Sequence, residues 1–485
     1  MSRAIRLTAA SALALALAGC ATDVPQVLKP ALVPDAFDGP VDASADVWPK
    51  PDWWKSFGNA ELSALITQGQ AGNYDLAAAA ARVMEAESQA TIARSALFPQ
   101  VDAQADGARA GGSTGAITTL GPSSQQSVGN SFGLSFGATY ELDFWGLARD
   151  NLRAANEALK SVRFAKQVVA LTVTANIADQ YLGVLALRQR IAIANENIAA
   201  INSILETIKL KVSTGSLSHL DLAQEQAQRE SVEAALPSLE EQEAEARFAL
   251  ALLLGRAPEK FDVAAKSLDA LTAPTVVPGL PSELLLRRPD VAEAEANLAS
   301  AHANLDAARA AFLPQIALTG DAGFASAAAG TLLHGSNFAW DYGANLVQAI
   351  FDGGKLIGEK DLAKAQQKEL IATYRTAVLN ALSDVETALG QVAHNRRAED
   401  HLVREVAAAR EAFQIAELQY RQGATDLLNV LQAQQTLFSA EDELAQTTQA
   451  RMQAVVHLYE ALGGGWSEDP DDRTQRRVAE PEKRG

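Results

Sequence analysis

Few residues of this chain have the types and spacing that covalent chemistry needs. Gly133-Leu134-Ser135-Phe136-Gly137 spells the G-x-S-x-G of a serine nucleophile elbow, which requires a strand, a sharp turn and a helix around the serine. Here the string lies inside an unbroken alternation of apolar and small residues, so a strand with small residues on one face accounts for it. Gly354-Lys355 lacks the Ser or Thr and the earlier glycine of a phosphate-binding loop. The six histidines show no zinc-ligand spacing with carboxylates or cysteine, and His394 and His401, seven apart, read as solvated helix positions. Asp102, Asp106, Asp321 and Asp341 occupy polar positions of alternating segments, where acids keep a surface wet or favour cations. No convergent polar site emerges. The chain reads as a non-enzyme with no metal and no cofactor beyond a covalent lipid.

That lipid is read at the single cysteine, which rules out an intramolecular disulfide. Arg3 and Arg6 precede a short apolar stretch, residues 7–18, well below the roughly 20 residues of a spanning helix. Leu17-Ala18-Gly19-Cys20 then resembles the bacterial lipobox, in which a diacylglycerol is attached to the cysteine and cleavage falls just before it. Residues 1–19 are therefore expected to be a signal peptide and Cys20 the acylated mature N-terminus. Ala21 follows instead of the aspartate of inner-membrane retention, which points to the outer membrane.

The chain has 485 residues, 48% of them hydrophobic but only 6% aromatic, and a formal net charge of -18. That charge argues against nucleic acid, since phosphate binding needs a basic surface. No later apolar run reads as a transmembrane helix, so a membrane-spanning part would have to be a barrel.

An internal repeat organises the sequence. Ala93-Arg94-Ser95-Ala96-Leu97-Phe98-Pro99-Gln100 aligns with Ala308-Arg309-Ala310-Ala311-Phe312-Leu313-Pro314-Gln315 at an offset of 215. Farther on the offset is 208: Gly146 meets Gly354, Gly215 meets Gly423, Gln224 and Gln226 meet Gln432 and Gln434, and Leu254-Gly255 meets Leu462-Gly463. The expected divisions are a lipidated segment 20–52, repeat one 53–255, a linker 256–282, repeat two 283–463 and a polar tail 464–485. Each repeat reads as an alanine-rich helix (61–97; 283–313) stopped by Pro99 or Pro314, a short strand, a Gly/Ser-rich loop (111–129; 325–335) and a second strand. A very long helix follows (147–213; 355–422), then a glycine turn and a return helix, one of them carrying Pro237 as an expected kink.

Within 131–144, Phe132, Leu134, Phe136, Ala138, Tyr140, Leu142 and Phe144 alternate with Ser131, Gly133, Ser135, Gly137, Thr139, Glu141 and Asp143. In a soluble sheet this pattern covers a core; in a barrel it faces lipid outside and water inside. Four strands cannot close a barrel, so on the second reading several subunits share one under cyclic symmetry. Ile371, Val378, Val385 and Val392 recur every seven residues, with Tyr374, Ala381 and Ala388 between them, which is coiled-coil spacing. Some 67 helical residues reach about 100 Å, beyond any globular core.

These features resemble the TolC-like outer-membrane factor family, and most closely its lipoprotein branch serving resistance-nodulation-division efflux pumps. Trp53-Trp54-Lys55-Ser56-Phe57 resembles its early Trp-Trp-x-x-Phe, and Leu285-Leu286-Arg287-Arg288-Pro289-Asp290-Val291 its Leu-x-x-Arg-Arg-Pro-Asp-Val. Phe351-Asp352-Gly353-Gly354 resembles the strand-to-helix junction, and Gly423 with Asp426, Asn429, Leu431 and Gln432 the periplasmic turn. The resemblance implies a mixed α/β membrane protein: a homotrimer with a twelve-stranded β-barrel, four strands per subunit, continued by a periplasmic α-helical barrel. Its implied partners are a periplasmic adaptor protein, an inner-membrane pump and outer-membrane lipid. A passive export channel for drugs or other small molecules is the implied function; the alternative is a periplasmic helical adaptor or scaffold lipoprotein, which has no need of paired amphipathic strands.

By the same resemblance the tip closes near the turn glycines Gly215 and Gly423. Where the family places acids, this chain has Asp221, Asn429 and Gln432, with Gln224 as the counterpart of Gln432 in the first repeat. Tyr420 matches a gate tyrosine, and Thr425 stands where TolC carries an arginine. One acid with two amides implies a gate held by neutral hydrogen bonds more than by charge. The plainer alternative is that Asp221, Asn429 and Thr425 cap helices. Acylation of Cys20 is tested by feeding a clickable fatty acid to cells: the wild-type chain should take up label and Cys20→Ser should not, whereas an unlabelled wild type contradicts the lipoprotein reading.

Overall fold

The computed structural model describes residues 33, 34, 36–39, 48–116, 123–275, 279 and 281–466; Cys20, the expected signal segment and most of the polar tail lie outside them. Four strands form one antiparallel sheet in the order β1 (Gln100–Ala116), β2 (Ser123–Leu142), β3 (Gln315–Ser326) and β4 (Phe338–Val347). The central β2–β3 pairing, from Phe132↔Ser326 to Leu142↔Ile316, joins the two halves of the chain. Among the described residues, β1 and β4 each keep one edge without a strand partner.

The helices come in matched pairs. α1 (Ala60–Gly72) and α2 (Tyr74–Ser95) precede β1, and α3 (Leu147–Ser213) and α4 (His219–Leu253) follow β2. α5 (Pro281–Leu284) and α6 (Pro289–Ala310) precede β3, and α7 (Lys355–Arg421) and α8 (Leu427–Ala461) follow β4. α3 and α7 both have 67 residues, α4 and α8 both 35, α2 and α6 both 22. At 1.5 Å per residue, α3 and α7 are about 100 Å long.

The structure corrects several expectations. The alanine-rich helix expected over 61–97 is two helices, broken at Asn73. The Asn73 side chain accepts from Asp75 N at 2.8 Å and Leu76 N at 3.1 Å and donates to the Leu253 carbonyl at 2.9 Å, so it caps α2 and ties it to the end of α4. The helix expected over 283–313 is likewise split, because Pro289 has no N–H to give and starts α6. The loop expected over 111–129 is mostly strand, with β1 and β2 in register out to Ala116↔Ser123. Backbone pairing in a hairpin does not need apolar side chains, so a Gly/Ser/Gln-rich composition was a poor guide. α4 continues through Pro237 without interruption. One 18-residue stretch of α3 is apolar enough to cross a membrane by composition, but 56% of it is buried against the rest of the chain, as in a core helix.

Two apolar clusters hold the middle of the molecule. Trp53 stacks on Tyr459 with ring centroids 4.7 Å apart, beside Phe57, Tyr181, Leu185 and Leu250. The segment between the halves packs here too, through Phe261, Val263, Leu268 and Leu271, and Arg188 reaches across it to Glu243 at 2.8 Å and the Ala265 carbonyl at 2.9 Å. The second cluster contains Tyr374, Val378, Ala381, Leu382, Val385, Ala388 and Leu389, the seven-residue stripe of α7. Trp48 covers it, and Glu386 accepts from the backbone of Asp38 and Gly39. The Arg-Arg-Pro-Asp string has a mechanical role: buried Arg288 donates to Asp290, to Asp384 of α7 at 3.0 Å and to the Ala461 carbonyl at 3.1 Å, binding three helices at one point.

Register sorts the sheet into two faces. Phe136 pairs with Ala103 and Ala322, and Ala322 with Trp340, so these share one face. Trp340 stacks on Tyr342, and Phe324 lies against Phe338. This face is apolar and bare: Phe136 is 58% exposed, Trp340 65% and Tyr342 81%. Such an apolar face, uncovered by any of the described residues, suits lipid. Phe136→Arg should therefore cost about 2–4 kcal/mol near the bilayer midplane, and Ser135→Arg, on the opposite face, much less. The yield of heat-modifiable oligomer in outer-membrane extracts measures this, and equal tolerance on both faces would contradict it.

Candidate functional site

Two regions can act on a solute: the polar face of the sheet and the far end of the long helices. On the sheet, Asp102 pairs with Gly137, Gly137 with Asp321, and Asp321 with Asp341. Three carboxylates thus lie on one rung across four strands, with glycine as the fourth member. The glycine leaves room for the neighbouring acid, since a Cβ at Gly137 would stand 3.0 Å from the Asp321 carboxylate. Asp106 likewise leans over Gly133. Three copies of the chain in a closed barrel would carry nine carboxylates on this rung. A ring of that kind holds water and attracts cations.

At the far end the chain turns twice. Gly215 and Gly423 both have φ of +76°, the left-handed conformation that ends helices. Ser216 N donates to the Lys211 carbonyl and Gly215 N to the Val212 carbonyl; Ala424 and Gly423 repeat the arrangement onto Gln419 and Tyr420. Both turn glycines therefore have the place read for them in the sequence.

Of the candidate gate residues, Asp221 caps a helix, Tyr420 is buried and the amides are exposed. Asp221 closes a capping box: its carboxylate accepts from Ser218 N at 3.1 Å and Ser218 Oγ at 2.8 Å, and its own N–H donates to Ser218 Oγ at 3.3 Å. Asn429 donates to Thr425 Oγ1 at 2.9 Å. Gln224 and Gln432 are exposed on the second turns of α4 and α8. Tyr420 is buried, 4% exposed, beside Ile204, Ile208, Leu427 and Val430. Lys211 Nζ donates to the Tyr420 carbonyl at 3.1 Å and lies 4.1 Å from the ring centroid, a cation–π contact. Burial first, then the Asp221 and Glu225 carboxylates, push the Tyr420 phenol up. The tip thus brings Asp221 and Tyr420, from different halves of the chain, into electrostatic reach, and pairs Asn429 with Thr425.

Three residues here escaped the sequence reading. Ser218 was readable as a cap two residues before Leu220-Asp221. Lys211 gave no signal, since its partner is 209 residues away. Glu225 was readable from spacing: it precedes Val232 and Leu239 by seven and fourteen residues, so it occupies a seam position of α4.

Comparison with known proteins agrees with this geometry. The family described as Outer membrane efflux protein matches residues 65–256 and 280–464. The pyoverdine export outer membrane protein OpmQ of Pseudomonas putida is 37% identical over 462 residues, 95% of this chain and 98% of that one. The cation efflux system protein CusC of Escherichia coli is 30% identical over 466 residues, 94% of this chain and 98% of that one. The solved outer-membrane channel OprN superposes with a TM-score of 0.82 at 28% identity, covering 90% of this chain and 98% of that one. The fold expected from the sequence is thus the fold observed, that of the trimeric outer-membrane channels, and the function is that of a duct and not an enzyme. The chain belongs to the outer membrane efflux protein family.

Proposed function

We propose that three copies of this chain form one continuous duct, with the sheet as a third of an outer-membrane barrel and the helices as a periplasmic tunnel closed at the tip. One observation carries the reading: a four-stranded sheet with two unpaired edges, apolar on one face and acidic on the other, is joined to helices of about 100 Å. A periplasmic adaptor protein meets the tip and couples the duct to an inner-membrane pump. A lipid on Cys20 anchors the N-terminus beside the barrel. The names of two relatives, in pyoverdine export and cation efflux, support small molecules or ions as cargo.

Closure of the tip is assigned to Asp221, Tyr420, Thr425, Asn429 and Gln432, with Gln224 at its rim. Under threefold symmetry Asp221, Thr425, Asn429 and Gln432 meet their copies around the axis, while Tyr420, buried inside each subunit, packs the two hairpins that carry them. Ionised Asp221 side chains would repel there, and the capping box with Ser218 offsets part of that repulsion by giving each carboxylate two donors. In planar bilayers, Asp221→Ala combined with Gln432→Ala should raise single-channel conductance several-fold, and cells carrying it should become sensitive to vancomycin. Wild-type conductance from a correctly assembled double variant would remove these residues from the gate.

A further inference from the structure

One carboxyl group in the tip is used by nothing described so far. Glu225, on the second turn of α4, is fully buried (0% exposed), and among the described residues neither carboxylate oxygen has a hydrogen-bond partner. It lies at the seam position that Val232 and Leu239 continue, where the other repeat has Ala433. The Tyr420 hydroxyl, within its electrostatic reach, is also buried and unpartnered. Glu225 belongs to the α3–α4 hairpin and Tyr420 to the α7–α8 hairpin, so the two buried groups come one from each of the hairpins that form the tip. An ionised carboxylate held this way pays a large desolvation cost, whereas a protonated one is a neutral donor with a phenol oxygen nearby.

We propose that Glu225 makes the tip pH-responsive, protonated when the two hairpins are packed together and driving them apart when it ionises. The inference rests on the tip being the gate. Burial alone pushes the Glu225 carboxyl up to about 7. The groups around it do not oppose this. On its own helix Asp221 is held by Ser218, Arg229 pairs with Glu233 at 2.7 Å, and His219 is exposed. Around Tyr420, α3 places Ile204, Ile208 and Lys211, the last engaged with Tyr420 itself, and α8 has no ionisable residue between 427 and 440. Since the packed state raises the pKa, it is fully favoured below the ordinary carboxyl value, and that advantage is lost as pH rises to about 7. If opening restores the ordinary value of 4.5, the closed-to-open ratio falls by at most about 300-fold per subunit over that window.

The test uses the full-length trimer in lipid, spin-labelled at the exposed turn as Ala424→Cys, with label-to-label distances read by pulsed electron resonance between pH 5 and 8. The wild type should shift at least tenfold in the ratio of short to long distances, lengthening as pH rises and levelling off near 7. Glu225→Gln should stay at the short distance throughout, and Glu225→Ala, which copies the other repeat, should lose the pH dependence as well. His219→Gln should keep the wild-type profile. A pH-independent wild type, lengthening towards acid, or an unchanged profile in Glu225→Gln would each overturn the proposal. Conductance recorded on the same samples separates the two ideas: distances that respond without conductance following would uphold Glu225 and refute the tip as gate.

Discussion

Everything in this molecule answers to a hydrogen-bonding constraint on the sheet. A strand edge facing hydrocarbon leaves N–H and C=O groups with no water to satisfy them, each costing several kcal/mol. β1 and β4 have such edges, and among the described residues no strand pairs with them. Joining β4 of one copy to β1 of the next removes all the edges at once, provided the ring closes, and three copies give twelve strands. Closure then dictates the rest. The polar face becomes a lumen, the rung of Asp102, Asp321 and Asp341 becomes a ring, and the helices that leave the strands are gathered around the same axis.

The duplication suits that task. Two halves with helices of 67 and 35 residues, and turns with the same φ at Gly215 and Gly423, give six near-equivalent hairpins per trimer. A tube of near-identical units has no built-in seam, so the places where the halves differ gain importance. Ser218 caps α4 through its side chain, while Asp426 at the matching position of α8 makes no such bond. Glu225 stands opposite an alanine in the other half. Lys211 rests on Tyr420, and at 208 residues on its counterpart is Gln419. These differences cluster at the tip, where a duct that opens must have two arrangements of similar energy.

Much of the fold was legible because its signals are periodic. The 208-residue offset located both turns, period-two alternation located the apolar faces of β2 and β4, and the seven-residue stripe of α7 is buried as expected. What periodicity missed depends on single side chains. Asn73 and Pro289 break helices whose alanine-rich composition runs on, and backbone pairing carries β1 and β2 through a polar stretch. At the tip the candidate residues come from resemblance more than from pattern, and the structure gives one of them, Asp221, a local task in a helix cap. Tyr420 and Lys211 meet only because two hairpins distant in sequence lie side by side, which no local pattern encodes.

The central claim is that one chain supplies a third of a barrel. Native mass spectrometry of the protein extracted from outer membranes in mild detergent tests it most directly. A single dominant assembly of three chains is expected, falling to one chain on heating. A stable, membrane-inserted monomer, or an assembly of two or four chains, would contradict it.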